Sequence, residues 1–185
     1  MAAGDLTTLA ACKDWLGITG NGDDGVLARL ITNVSAAIEN IVNRTFAITA
    51  YNIMRNGTGT RRMVLPDFPV VSVTSVTVDG MLVSQSSDGV VARGWTFDDR
   101  GLFMVGGVFS MGRNNVRVVY SAGYATVPAD IDQACLELVA FRYRGRDRIG
   151  HASKSVQGET VSYITKDMPA EVAATLAQYR KVVPS

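Results

Sequence analysis

The stretch that decides the fold class is VSVTSVTVDGMLV, residues 71–83. Its valines recur at every second or third position among serines and threonines, a pattern typical of a half-buried strand. Asp79 and Gly80 then lead into a second apolar run, and an Asp-Gly pair between two such runs is typical of a two-residue hairpin turn. The centre of the chain is therefore predicted to contain antiparallel β-structure.

Similar short runs lie on both sides of this hairpin, separated by Gly, Asp and Asn turns. The connections between them are too short for the crossover helices that a parallel sheet needs. We therefore predict an antiparallel meander. Its further strands are expected at 51–55, 61–65, 95–97, 102–105 and 116–120.

Before and after this region, apolar residues recur at helical spacing, with capping residues at the expected ends. The predicted helices are 9–16, 24–43, 128–145 and one that begins at 169. The order is thus two helices, a run of strands and two helices. We expect an α+β fold that is mainly a helical bundle of about four helices with an inserted antiparallel β meander.

Length and composition predict one domain. The chain has 185 residues, of which 47% are hydrophobic, so it can bury a core. The predicted parts are 1–50 (helical), 51–122 (β-rich insertion), 123–164 (helix and basic loop) and 165–185 (C-terminal helix and tail). The apolar stretches are shorter than the roughly 20 residues of a membrane span. With no secretory signal and only two cysteines, we expect a water-soluble protein with free thiols and no membrane partner.

The charges nearly cancel, because 18 basic and 17 acidic residues leave a net charge of +1. This excludes the cationic surface of a dedicated nucleic-acid binder. The charges are nevertheless uneven along the chain. Candidate residues for an acidic face are Asp14, Asp23 and Asp24, and the basic segment 142–154 carries Arg142, Arg144, Arg146, Arg148 and Lys154. Two patches of opposite sign on one domain suit head-to-tail self-association.

Residues with the chemistry of catalysis are scarce. His151 is the one histidine, and one histidine with two distant cysteines does not match a metal-ligand spacing. The glycine-rich stretch 57–60 lacks the Lys-Ser or Lys-Thr of a phosphate loop. Asp98 and Asp99 have the composition of a turn. We therefore predict no enzyme activity, no cofactor and no metal, and a small hydrolase or nuclease that uses Asp98, Asp99 and His151 is the weaker alternative.

Several short groups of residues occur in a characteristic order along nearly the whole chain. They are Leu6-Thr7-Thr8-Leu9 with Trp15-Leu16-Gly17, 24–44 with Thr45-Phe46, Pro69-Val70-Val71-Ser72-Val73 with Val78-Asp79-Gly80, Tyr120-Ser121-Ala122-Gly123-Tyr124 with Val127-Pro128-Ala129-Asp130-Ile131, and 134–148. In this order they resemble the head-tail connector, or adaptor, proteins of tailed bacteriophages. These are head-completion proteins that dock beneath the portal.

The resemblance implies a helical bundle with β elements, no enzyme activity and a location in the virion neck, after synthesis in the cytoplasm of the bacterial host. Copies would form a dodecameric ring coaxial with the portal, and packaged DNA would pass through its channel. The implied partners are the portal protein, a head-closure (stopper) or tail protein, and further copies of the chain. Any contact with the packaged DNA would be non-specific.

Under this hypothesis the five basic residues of segment 142–154 face a neighbouring subunit, the portal or the DNA. Because DNA must slide through the channel, we expect protein contacts for most of them. Val172, Leu176 and Tyr179 form the apolar face of the last helix, which either docks on the portal or an adjacent subunit, or closes the protein's own core. A tail-completion or stopper protein of the same neck is the nearest alternative. The near-zero net charge argues against a non-viral DNA-binding domain.

Overall fold

The computed structural model of the chain describes residues 4–146, 153–156, 159–162 and 168–181, with only the backbone in the second and third of these ranges. These residues form two compact units. The helical unit is drawn from residues 4–44 and 127–181, and the β unit is Thr45–Thr126.

The described residues contain four helices, close to the four predicted positions. They are α1 (Leu9–Leu16), α2 (Asp24–Val42), α3 (Ala129–Gly145) and α4 (Ala170–Tyr179). The Thr8 side chain caps α1 by accepting a hydrogen bond of 3.1 Å from the Ala11 amide. Gly17 and Asn43 end α1 and α2 in the left-handed conformation, with φ of 72° and 53°. The predicted helices are therefore confirmed.

The core of the helical unit lies among these four helices, since α3 packs against α1, α2 and α4. The buried apolar side chains include Cys12, Leu27, Ile31, Val34, Ile38, Val42, Ile131, Cys135, Leu138, Val139, Val172 and Leu176. The Lys181 amide donates a hydrogen bond of 2.8 Å to the Val42 carbonyl, which joins the end of α4 to the end of α2. The last helix is thus an integral part of this unit.

Helix α2, with 19 residues, is long and apolar enough to cross a membrane by length and composition alone. The sequence had predicted no stretch of that kind. Its apolar side chains at Leu27, Ile31 and Ile38 are fully buried, and Asn33 and Asn40 are exposed. One buried apolar stripe with a polar opposite face is the pattern of an amphipathic core helix.

The β unit contains seven strands, and a separate two-stranded hairpin belongs to the helical unit. The seven strands are β1 (Thr49–Gly57), β2 (Arg62–Val64), β3 (Val70–Val78), β4 (Met81–Val83), β5 (Gly94–Phe97), β6 (Gly101–Val105) and β7 (Gly112–Ala122). The hairpin is β8 (Ser153–Val156) and β9 (Glu159–Ser162).

The seven strands form two antiparallel sheets, with the orders β1-β7-β3-β4 and β2-β6-β5. The predicted hairpin at Asp79 and Gly80 is confirmed, since both have positive φ, 51° and 80°, and join β3 to β4. The first strand pairs with the last, from Thr49 opposite Ala122 to Arg55 opposite Val116. A simple meander, in which each strand pairs with the next, is therefore wrong for this unit.

The predicted fold class, mainly a helical bundle with an inserted meander, is also wrong. The protein is a sheet-rich α+β fold, with two antiparallel sheets in a compact unit of their own. One cause is that the sequence pattern underestimates strand length. For β7 it predicts a strand at 116–120, whereas the strand begins at Gly112. Residues 112–115, Gly-Arg-Asn-Asn, have the composition of a turn, and long-range pairing of Gly112 with Gly57 draws them into the sheet region.

The core of the β unit contains side chains from both sheets. Its buried residues include Met63, Val76, Val78, Trp95, Leu102, Phe109, Val116, Val118 and Tyr120. The rings of Tyr51 and Tyr120 stack with their centroids 5.3 Å apart. The Trp95 indole N–H donates a hydrogen bond of 2.9 Å to the Val83 carbonyl, so its polar group is satisfied within the unit.

Candidate functional site

Asp23 of the predicted acidic face and Arg146 of the predicted basic segment meet in the helical unit. Asp23 precedes α2, and its carboxylate accepts hydrogen bonds from the Tyr143 hydroxyl at 2.7 Å and the Arg146 guanidinium at 3.2 Å. Both donors lie at the C-terminal end of α3. The sequence predicts that these two charges bind other molecules, but Asp23 and Arg146 form an ion pair with each other in the same chain.

The hydrogen bond from Tyr143, with a contribution from Arg146, holds the pKa of the Asp23 carboxyl below its ordinary value. The same hydrogen bond raises the pKa of Tyr143, because loss of the phenol proton would leave two negative oxygens side by side. Asp23 therefore stays ionised under conditions that protonate an ordinary aspartate.

We expect the carboxyl of Asp23 to titrate below its ordinary value of 3.8, and Tyr143→Phe to move the midpoint upward. Because the folded-state pKa is lowered, its stabilisation is present above pH 3.8 and is lost as the pH falls through the folded-state pKa. Carboxyl-carbon NMR of the folded protein measures the midpoint. Arg142→Ala, one position from Tyr143 and exposed, is the matched control and should leave it unchanged. An unshifted midpoint in Tyr143→Phe would contradict the assigned cause.

Asp24, the next acidic candidate, is also occupied within the chain. Its carboxylate lies 2.8 Å from the ammonium group of Lys13, which also donates to the Asn21 side chain at 2.9 Å. These contacts join the last turn of α1 to the first turn of α2. Asp14 differs, because it is exposed on α1 beside Trp15, whose exposed fraction is 49%. Of the three acidic candidates, Asp14 is the one placed for contact with another molecule.

The remaining basic candidates are only partly described. Arg142 and Arg144 are exposed in the last turns of α3. The backbone of Lys154 lies in β8, opposite Val161. Arg148 and the side chain of Lys154 lie outside the described residues, as does His151.

Two of the three candidates for a docking face on the last helix are turned inward, and the third, Tyr179, is half-buried. Val172 and Leu176 are each 1% exposed. The Tyr179 hydroxyl lies 2.9 Å and 2.8 Å from the two carboxylate oxygens of Asp130, in the first turn of α3. In this conformation the helix closes the protein's own core, which was one of the two alternatives. The other, docking on the portal or a neighbour, stays a prediction.

The carboxylates weighed as catalytic candidates lie in the turn between β5 and β6. Asp98 accepts hydrogen bonds of 2.8 Å from the amides of Arg100 and Gly101, and its own amide donates to the Gly101 carbonyl at 3.0 Å. The interpretation of this stretch as a turn is confirmed. In the described part of the chain, no group of three or more His, Cys, Asp and Glu could hold a metal ion.

One surface was missed by the sequence analysis. Met81, Leu82 and Met111 are 71%, 73% and 82% exposed in the β unit. Strict alternation along β4 would turn one of Met81 and Leu82 inward. The sequence does contain a signal for this exposure. Three consecutive apolar residues, Met81 to Val83, follow the tight turn directly, and a strand of three residues is too short to bury both of its faces.

The described residues thus present charged and apolar surfaces, which are the means by which proteins bind other macromolecules. The model of the head completion protein family matches residues 5–182. The chain therefore belongs to the head completion protein family. This confirms the family inferred from the order of the motifs, and with it a structural role in a phage virion.

Solved structures of similar fold come from gene transfer agent (GTA) particles. One, from the neck of an empty GTA particle computed with C6 symmetry, has 20% identity and a TM-score of 0.59, and the match covers 98% of this chain and 93% of that chain. Another, from the virion of a native GTA particle, has 22% identity and a TM-score of 0.59, with coverages of 100% and 94%. A third, from a native GTA neck computed with C12 symmetry, has 19% identity and a TM-score of 0.58, with coverages of 100% and 94%. At these identities the likeness shows the fold alone. A comparison with curated proteins found no match.

Proposed function

We propose that the chain is a head-tail connector of the virion neck. It docks under the portal as a homo-oligomeric ring, extends the DNA channel and provides the platform for the stopper or tail. The observation that carries this proposal is the family match over residues 5–182. The similarity of nearly the whole fold to proteins from GTA necks computed with C6 and C12 symmetry supports a ring.

This function needs interfaces and no catalytic group. A ring repeats one heterologous contact between two different faces of the same chain. The exposed residues Arg142 and Arg144 on α3, and Asp14 on α1, are available for such contacts or for the portal. If α3 faces the channel, its arginines would touch DNA phosphates without regard to base sequence.

The test is electron microscopy of the particles made when this gene is deleted from its phage or prophage, with the intact gene supplied in trans as the control. We expect filled or leaking heads beside separate tails, because the piece that joins them is missing. Complete infectious particles would overturn the proposal. Heads that retain their DNA and a bound stopper but lack a tail would indicate a tail-completion protein.

The same complementation tests the exposed arginines. We expect Arg142→Glu with Arg144→Glu to restore fewer joined particles than the intact gene, since reversed charges repel an acidic partner or DNA phosphates. Arg29→Glu, exposed on α2, is the matched control for a charge reversal in the helical unit. Full complementation by the double variant would remove these arginines from the interface.

A further inference from the structure

Four exposed apolar side chains lie where the loops of the β unit converge. Val78 pairs with both Met81 and Val116, and Gly57 pairs with Gly112, so the ends of β1 and β3 and the starts of β4 and β7 share one end of their sheet. Hydrogen bonds of 2.8 Å and 2.9 Å link residues 59 and 60 to Phe109 and bring in the loop that follows β6. We call this surface the apolar rim. It consists of Met81, Leu82, Val108 and Met111.

The loops that carry the apolar rim are held in place by polar contacts. The Asn115 side chain accepts from the Gly57 amide at 2.8 Å and donates to Asp79 and to the Ser110 carbonyl, each at 2.9 Å. In the loop that follows β4, one carboxylate oxygen of Asp88 accepts hydrogen bonds from three consecutive amides at 2.9–3.0 Å. The rim is therefore a preformed surface, which lowers the conformational entropy lost on binding.

The exposure of the rim is large for apolar residues. Met111, Leu82, Met81 and Val108 are 82%, 73%, 71% and 45% exposed. Single exposed apolar side chains are common, but a cluster on ordered loops marks an interaction surface. Methionine is common on binding surfaces because its flexible, polarisable side chain adapts to a partner.

The charges around the rim are positive. Arg61, Arg93 and Arg113 are exposed, and none of them forms an ion pair within residues 4–146 and 168–181. The carboxylates of Asp79, in the turn before β4, and of Asp88, in the loop after β4, already accept hydrogen bonds from the loops themselves. A partner that fits the rim should therefore offer an apolar side chain next to an unpaired carboxylate.

The helical unit of the same chain has a surface of that chemistry. Trp15 is 49% exposed, and the neighbouring Asp14 is exposed and in no ion pair among the described residues. Trp and Arg are the residues most enriched where interface binding energy concentrates. Asp23 and Asp24 are held by partners in their own chain, which leaves Asp14 as the acidic candidate for an external contact.

We propose that the apolar rim docks on Trp15 and Asp14 of a second copy of this chain. The contact joins two different faces, so its repetition closes a ring or extends a filament. In the proposed neck ring this is the contact between neighbouring subunits, so the inference rests on the proposed function. The arginines around the rim surround the Asp14 carboxylate, and the methionines of the rim cover the Trp15 indole.

The test measures contact between two differently labelled copies of the full chain by NMR. A nitroxide is attached to Gly107→Cys, an exposed site beside Val108 where an added Cβ meets no atom within 4 Å. Burial raises the pKa of Cys12 to about 11 and that of Cys135 to about 12, so the native thiols react slowly with the label. The second copy is ¹⁵N-labelled and carries no nitroxide.

The two tryptophans give separate indole signals, one from each unit. For a Kd of about 1 mM, a spin-labelled copy at about 1 mM occupies roughly half of the sites, and the Trp15 signal should lose at least about half of its intensity. Trp95, whose indole is bonded inside the β unit, should keep its intensity. Met111→Asp in the spin-labelled copy should restore the Trp15 signal. Val64→Asp, at a position 52% exposed outside the rim, is the matched control and should not.

A charge exchange tests the ionic half of the contact. Arg93→Glu in the spin-labelled copy should weaken the effect on Trp15, and Asp14→Arg in the ¹⁵N copy should restore it. Loss of signal at Trp95 in place of Trp15 would show contact between two rims and overturn the proposal. No loss at either tryptophan at about 1 mM would overturn it as well. Neither result would contradict the proposed neck function, because that function is tested separately by electron microscopy of particles made without the gene.

Discussion

Replacing Leu176 by alanine is expected to lower the free energy of unfolding of the helical unit by about 2–5 kcal/mol. The side chain is 1% exposed, and α4 packs against α2 and α3. Alanine leaves a cavity among these helices and removes buried apolar surface. Denaturant unfolding followed at Trp15, the tryptophan of this unit, measures the change.

Gln178→Ala is the matched control, because Gln178 is exposed on the same helix and alanine keeps the helix propensity. It should change the free energy of unfolding by less than about 0.5 kcal/mol. If Leu176→Ala left the stability unchanged and abolished binding to the portal, the helix would serve docking and not the core. If Leu176→Ala lowered the stability and the protein that remained folded still bound the portal, Leu176 would serve the core.

Gly57→Ala is expected to destabilise the β unit by about 3 kcal/mol, the upper end of the range for overpacking. An alanine Cβ would overlap the carbonyl oxygen of Ser110, a backbone atom that cannot rotate away. The backbone at residue 57 cannot easily move to remove this overlap, because the Gly57 amide donates a hydrogen bond of 2.8 Å to the Asn115 side chain and Gly57 pairs with Gly112. Unfolding followed at Trp95 measures the loss.

Gly107→Ala is the control for this substitution, because its Cβ would meet no atom within 4 Å. It should leave the stability unchanged or raise it by up to about 1 kcal/mol, through the lower entropy of the unfolded chain. A Gly57→Ala protein as stable as Gly107→Ala would contradict the close approach of β1 to the loop before β7.

Local patterns were sufficient for the positions of the helices and of most strands. The Thr8 cap, Gly17 and the apolar period of residues 27–42 act within a few residues of each other, so their physics is present in the sequence itself. The Asp79-Gly80 turn belongs to the same class, because its positive φ values depend on the turn residues alone.

Strand order and strand length depended on contacts that no local pattern contains. β1 lies next to β7, across more than fifty intervening residues, and this pairing converts the turn-like residues 112–115 into the start of a long strand. The balance between helix and sheet was misjudged for the same reason. Residues of low strand propensity adopt strand structure when their backbone groups form hydrogen bonds with a strand that is distant in sequence.

The interface candidates divide in the same way. Composition alone identified an acidic beginning and a basic segment, and the order of motifs identified the family, because both are properties of the chain as written. Only the tertiary structure showed that Asp23 is bonded to Tyr143 and Arg146, that Leu176 is buried, and that Met81 and Met111 are exposed at one end of the β unit. Charge and hydrophobicity belong to a residue, but partner and exposure are decided by residues far away in the chain that folding brings alongside it.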